Sequence, residues 1–176
     1  TWDFAEGNPF SGSSGNFSSN VDWVARAVEL MVPAADGHIV QHDAQTVAYP
    51  PSVVISSDPP YYDNIEYSDL SDFFYVWLKN NCSGIFPNIF GFLSTPKSEE
   101  LAATSYRHGG QDEADSFFLE GMTKAVERMA SQAGPYLPAT IYYAFKQSEV
   151  EREGISSTGW ATLLQAVVRA GFSVVG

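Results

Sequence analysis

An acid, two prolines and an aromatic, Asp58-Pro59-Pro60-Tyr61, follow directly on the run Val53-Val54-Ile55-Ser56-Ser57. The run has the length and β-branched content of a buried strand, and the prolines end it abruptly. The aspartate therefore belongs at a strand's carboxyl end. In an open α/β sheet that edge is where ligands bind, because backbone carbonyls and side chains are exposed there together. Prolines have a fixed φ and no N–H, so Pro59 and Pro60 hold the carbonyls of Asp58 and Pro59 as a stiff pair of acceptors. A carboxylate, a rigid carbonyl and an aromatic face suit a flat ring that carries an amine. The plainer reading of the same four residues is an Asp-Pro turn that terminates a strand.

Two further sets of residues join this candidate site by position. Lys146 and Gln147 follow the strand expected over Thr140 to Phe145, on the same edge as Asp58, where they line a base pocket, contact a phosphate or face water. Lys97 and Arg107, with His108, form the one local basic cluster, flanking a loop rich in Ser, Thr and Gly that could reach a phosphate backbone; exposed loop residues with no role are the other reading. His38, His42 and His108 share no metal-ligand spacing with the acids around them, and no metal site is expected.

Asp58-Pro59-Pro60-Tyr61 resembles the catalytic motif of amino-methyltransferases that use S-adenosylmethionine, above all the N6-adenine DNA methyltransferases. The longer string DPPYYDNIEYSDLSDFFYVWLK at 58–79, with PKSEEL at 96–101, YYAFKQSE at 142–149 and STGW at 157–160, is similar to a group of large prokaryotic adenine-specific DNA methylases. The resemblance runs through almost the whole chain. It implies methyl transfer to the N6 amine of adenine in DNA, with the Asp58 carboxylate and the Pro59 carbonyl accepting the two amine hydrogens. Tyr61 would stack on a base rotated out of the duplex. Asp43, one position after an expected strand, would stand near the cofactor adenine; a turn aspartate is the other reading. RNA base methylation, or a non-catalytic module among the subunits of a restriction or defence complex, are the alternatives in view.

The elements that must position these residues follow from periodicity. Residues 1–20 read as an irregular connector pinned by aromatics. Val21, Val24, Val28 and Met31 recur at helical spacing, with Ser19 or Asn20 as cap. His38–His42 and Val53–Ser57 read as strands. Leu70, Phe73, Phe74, Trp77 and Leu78 give a helix over 68–81 one wide apolar face. Residues 82–112 read as a long loop or insertion. Phe118, Met122, Ala125, Val126 and Met129 mark a long helix, 140–145 a strand, 159–170 a helix and 172–175 another strand. That alternation predicts an α/β fold, a Rossmann-like doubly wound parallel sheet with helices on both faces.

On this mapping 1–176 is one partial methyltransferase domain, whose first strands and cofactor loop have no counterpart. Asn8-Pro9-Phe10-Ser11-Gly12-Ser13-Ser14-Gly15 looks like the cofactor loop of amino-methyltransferases, but the segment before it is polar and mixed. A helix, a strand and another helix would need at least about 30 residues, whereas 22 separate Gly15 from His38. The segment therefore reads as a connector.

Composition bounds the partners. In 176 residues, 44% hydrophobic and 14% aromatic content argues for a packed domain. Twenty-one acids against nine Lys and Arg give a net charge of −12, so duplex binding by this segment is expected to be poor. A single cysteine, Cys82, excludes an internal disulfide framework and suggests a reducing cytoplasm. No apolar run is long enough to span a membrane, and no leader opens the chain.

Overall fold

A computed structural model of the chain describes residues 8, 10–63, 65–144 and 158–175. The chain divides into two compact units, Thr1–Gln41 and His42–Gly176. In the first, helix α1 (Phe17–Leu30) starts where the Asn16 side chain accepts the backbone N–H of Ser19 at 2.9 Å. The cap is thus Asn16 rather than Ser19 or Asn20, and it meets the first orphan amides of the helix. None of its residues is buried. The strand expected over His38–His42 does not form; Ile39 there is 100% exposed, and no strand among the described residues pairs with this segment.

The second unit contains strand β1 (Ser56–Ser57), helices α2 (Tyr67–Cys82), α3 (Pro87–Phe90), α4 (Ser105–His108) and α5 (Gln111–Gln132), strand β2 (Thr140–Ile141) and helix α6 (Thr158–Arg169). The two strands run parallel, Ser56 beside Thr140 and Ser57 beside Ile141. The Thr140 N–H donates to the Ile55 carbonyl at 3.0 Å and the Tyr142 N–H to the Ser57 carbonyl at 2.8 Å. A further parallel bridge joins Val53 to Ala133. Ser52, with φ of 64°, bends the chain before this ladder, and Pro59 and Pro60 have no N–H to extend it.

The expected doubly wound α/β sheet is therefore corrected: the described residues are mostly helical and carry one two-stranded parallel sheet. Strand-like composition alone does not make a strand, since each backbone edge needs a partner. Phe172–Val175 forms no strand among the described residues; its Phe172 packs on the core and its Val175 faces solvent. Residues 82–112, expected as a long loop, hold α3 and α4.

The core lies between α5 and α6. Ala114, Phe118, Gly121, Met122, Ala125 and Val126 recur at helical spacing and make the buried stripe of α5. Leu163, Ala166 and Val167 of α6 meet it. Asp112 and Glu113 in the first turn of α5 favour its positive end. Gly109, at φ of 89°, supplies the left-handed turn between α4 and α5. At Gly159 a Cβ would stand 2.8 Å from the Cβ of Tyr62, so only glycine lets the start of α6 come this close. No helix among the described residues is long and apolar enough to cross a membrane.

Candidate functional site

Backbone bonds to β2 pin the chain as far as Ser57, and Asp58-Pro59-Pro60-Tyr61 leaves from the carboxyl end of β1. The two prolines turn the chain so that the Tyr61 hydroxyl donates to Asp58 Oδ1 at 2.6 Å, three residues back. The Tyr61 ring meets Tyr143 edge to face at 5.3 Å, and Tyr143 in turn lies 5.9 Å from Trp160. The bond to Asp58, then partial desolvation, hold the Tyr61 hydroxyl above the usual tyrosine range. A phenol that gives its proton to a carboxylate keeps that proton longer.

Asp58, Pro59 and Pro60 separate two spaces. On one side is a cavity of about 200 Å³, walled by Ala44, Leu101, Met122, Val126, Ile141 and Leu163 among others. On the other is an open cleft of about 390 Å³, lined by Asp58, Pro59, Pro60, Tyr67 and Glu100. The cleft falls in the size range of small-molecule sites. It brings two carboxylates, two prolines and one aromatic, Tyr67, to one opening. A third groove, about 160 Å³, lies between Tyr143, Trp160, Leu164 and Phe172.

The other expected site residues are placed differently. Asp43 is a turn aspartate: its Oδ1 accepts the Gln45 N–H at 2.9 Å, and its carbonyl accepts those of Thr46 and Val47. Such an Asx turn occupies the carboxylate with its own backbone. The turn still touches the site, because Ala44 walls the cavity behind Asp58. Lys146 and Gln147 lie outside the described residues.

Lys97 and Arg107 are tied into an ion-pair network at the start of α2. The Arg107 guanidinium, its side chain only 10% exposed, donates to Glu100 Oε2 at 2.7 Å and pairs with Asp69. Lys97, 30% exposed, sits 2.5 Å from Asp72 Oδ2. The expectation that both are exposed loop cations is thus corrected for Arg107, which three acceptor-bearing side chains enclose: Glu100, Asp69 and Ser68.

Glu100, which sequence reasoning did not single out, is the centre of this network. Its carboxylate accepts the Ser68 N–H at 2.9 Å and the Ser68 hydroxyl at 2.5 Å, in the first turn of α2. Burial alone would raise the Glu100 carboxyl, but the bonds from Ser68 and Arg107 outweigh it and hold it below its ordinary value. The hydrogen bond from Lys97, then those from Thr95, bring Asp72 down to about 2. The available signal was the spacing of Asp69 and Asp72 on one helix against Lys97 and Arg107 downstream; nothing in periodicity says that these segments meet.

Asp43, the one acid assigned to S-adenosylmethionine, has one carboxylate oxygen on its own turn. The cavity beside Asp58 is smaller than the roughly 300–1,000 Å³ of sites for ligands of that size, and the adjoining open cleft of about 390 Å³ falls within that range. Asp58 and Pro59, which carry a carboxylate and a proline-restricted carbonyl, line that cleft directly after the paired Ser57. No family model, curated protein or solved structure matches the chain.

Proposed function

We propose that Asp58-Pro59-Pro60-Tyr61 is the amine-acceptor side of an S-adenosylmethionine-dependent methyltransferase acting on the N6 amine of adenine in DNA. The observation that carries the reading is the position of Asp58, Pro59 and Pro60 at the carboxyl end of β1, on the wall of an open cleft. An adenine amine is a poor nucleophile because its lone pair is delocalised into the ring. Acceptors on its two hydrogens favour the pyramidal nitrogen that attacks a methyl group, and fixed acceptors do so without reorganising during the reaction. The Asp58 carboxylate takes one hydrogen and the Pro59 carbonyl the other. Asp58 would stabilise the positive charge that develops as the N–C bond forms and the donor's S–CH3 bond breaks to leave a neutral thioether, and the methylated nitrogen would then lose its extra proton to solvent through the open cleft.

Tyr67, which lines the cleft, and Tyr61, bonded to Asp58 at its wall, are the aromatic faces against which a flat base would pack. DNA is the proposed partner, met through surfaces other than the paired Lys97 and Arg107, and the reducing cytoplasm the proposed compartment, with Cys82 free. The test is transfer of a radiolabelled methyl group by the natural polypeptide containing residues 1–176. Label should appear as N6-methyladenine in DNA oligonucleotides. Label found only in RNA would move the substrate to RNA, and no label in either polymer would leave the site without this activity.

A further inference from the structure

We infer that Tyr61 is a positioning residue for Asp58: its hydroxyl, held on one carboxylate oxygen, fixes the other oxygen for the incoming amine. The inference rests on the amino-methyltransferase reading of this site and adds to it a role for the hydroxyl. A stacking platform needs only the ring.

The geometry is that of a charge-assisted bond. At 2.6 Å the separation lies in the range of O–H···O⁻ pairs, and an ionised carboxylate can only accept, so the phenol is the donor. Left alone, an aspartate at a strand end turns about χ1 and χ2 and presents its oxygens in many directions. Here three features remove that freedom. The Ser57 carbonyl is bound to the Tyr142 N–H at 2.8 Å, which fixes the backbone just before Asp58. Pro59 and Pro60 restrict the turn that brings residue 61 back over residue 58, so little chain entropy is lost in closing it. The Tyr61 ring is braced at 5.3 Å by Tyr143, which comes from the segment just after β2. The brace and the strand ladder therefore have the same origin, and β2 sets both ends of the Tyr61–Asp58 contact.

One oxygen of the carboxylate is thereby committed. Oδ2 is left for a single hydrogen of the amine, and the Pro59 carbonyl for the other, so the pair accepts two hydrogens from one nitrogen without competition from a rotating carboxylate. Preorganisation of this kind acts on the turnover step, where charge develops on the nitrogen, more than on ground-state binding.

Tyr61→Phe keeps the ring and its contact with Tyr143 and removes only the hydroxyl. With the natural polypeptide and a DNA substrate, kcat should fall about tenfold or more, with KM for DNA within about twofold, the pattern of an interaction made mainly in the transition state. Tyr61→Ala should damage both constants. An independent readout needs no activity: tyrosines labelled at Cζ, with Tyr61 assigned by its absence in Tyr61→Phe, are titrated by NMR. Tyr61 should ionise above the free-tyrosine value, and Asp58→Ala should bring it back towards that value. Full kcat in Tyr61→Phe, or a Tyr61 titration that Asp58→Ala does not move, overturns the inference. Should the protein methylate nothing while the titration still responds to Asp58, the hydrogen bond stands and the methyltransferase reading falls.

Discussion

Tyr61 and Tyr62 are adjacent, yet the first stands at the edge of the cleft and the second is 8% exposed in the core. The turn after the two prolines separates them, with Tyr62 at φ of 49°. Its ring meets Phe118 edge to face at 5.3 Å, and its hydroxyl donates to Asp115 Oδ1 at 2.5 Å. Burial, then the bond to Asp115, push the Tyr62 hydroxyl well above its ordinary value. The sign of the linkage follows. The unfolded phenol loses its proton near pH 10 while the folded one keeps it, so the native state binds more protons above about pH 10. Stability from this group is complete below that pH and is lost as the pH rises further. Tyr62→Phe should cost about 1–2 kcal/mol at neutral pH and flatten the alkaline limb of a thermal-stability profile; an unchanged alkaline limb would contradict this. The place of Tyr61 in one motif with Asp58 was legible in sequence. The bond between Tyr61 and Asp58 was not, since it depends on how sharply two prolines turn.

Helix α2 shows what a periodic pattern conveys and what it omits. Leu70, Phe73, Phe74, Trp77 and Leu78 do share one face, as their spacing predicts, but that face is turned outward and Trp77 is 64% exposed. The opposite face is bound by polar contacts: Ser68 to Glu100, Asp72 to Thr95 and Lys97, and the Tyr75 hydroxyl to the Phe92 carbonyl at 2.8 Å. Periodicity gives the residues that share a face and not the direction in which that face points. An outward patch of three large aromatics is more than a lone exposed leucine and has no cover among the described residues. Removing the centre of the polar attachment should be felt. Arg107→Ala leaves Glu100 short of a charged partner and should cost about 2 kcal/mol, less than breaking a wholly buried pair, because Asp69 stays in contact with water. Lys97→Ala should move the unfolding midpoint far less, since both of its partners are partly solvated. Denaturant unfolding of the two variants separates them; equal losses would contradict the ranking. Asp72 and Glu100 are both held below their unfolded values near 4, so their contribution is present above that pH and is lost as the pH falls towards about 2.

At the scale of the whole chain, helix positions were largely legible and the sheet was not. The helices over 68–81, 118–129 and 159–170 appear as Tyr67–Cys82, Gln111–Gln132 and Thr158–Arg169, because side-chain periodicity is a local property. Sheet pairing is not local. His38–His42 and Phe172–Val175 have strand-like composition but no partner edge among the described residues, where the pairing of β1 with β2 and the bridge from Val53 to Ala133 form. Charge acts on the whole molecule too. With a net charge of −12 and with Arg107 and Lys97 already paired to acids, the chain should show no measurable binding to duplex DNA by fluorescence anisotropy at about 0.15 M salt. Tight binding with a steep salt dependence would show instead that the cations gather on one face.

The acceptor role of Asp58 is the centre of the proposed chemistry, and one comparison tests it most directly. The natural polypeptide containing residues 1–176 and its Asp58→Ala variant are assayed side by side for transfer of a tritiated methyl group from S-adenosylmethionine to adenine in DNA, with thermal unfolding recorded for both. Loss of a preorganised electrostatic group should lower kcat by about 10²–10³-fold or more, while the unfolding midpoint stays close to that of the parent, because the side chain borders a cleft and is not packed in the α5–α6 core. Methylation retained at the parent rate by a folded Asp58→Ala protein would contradict the assignment.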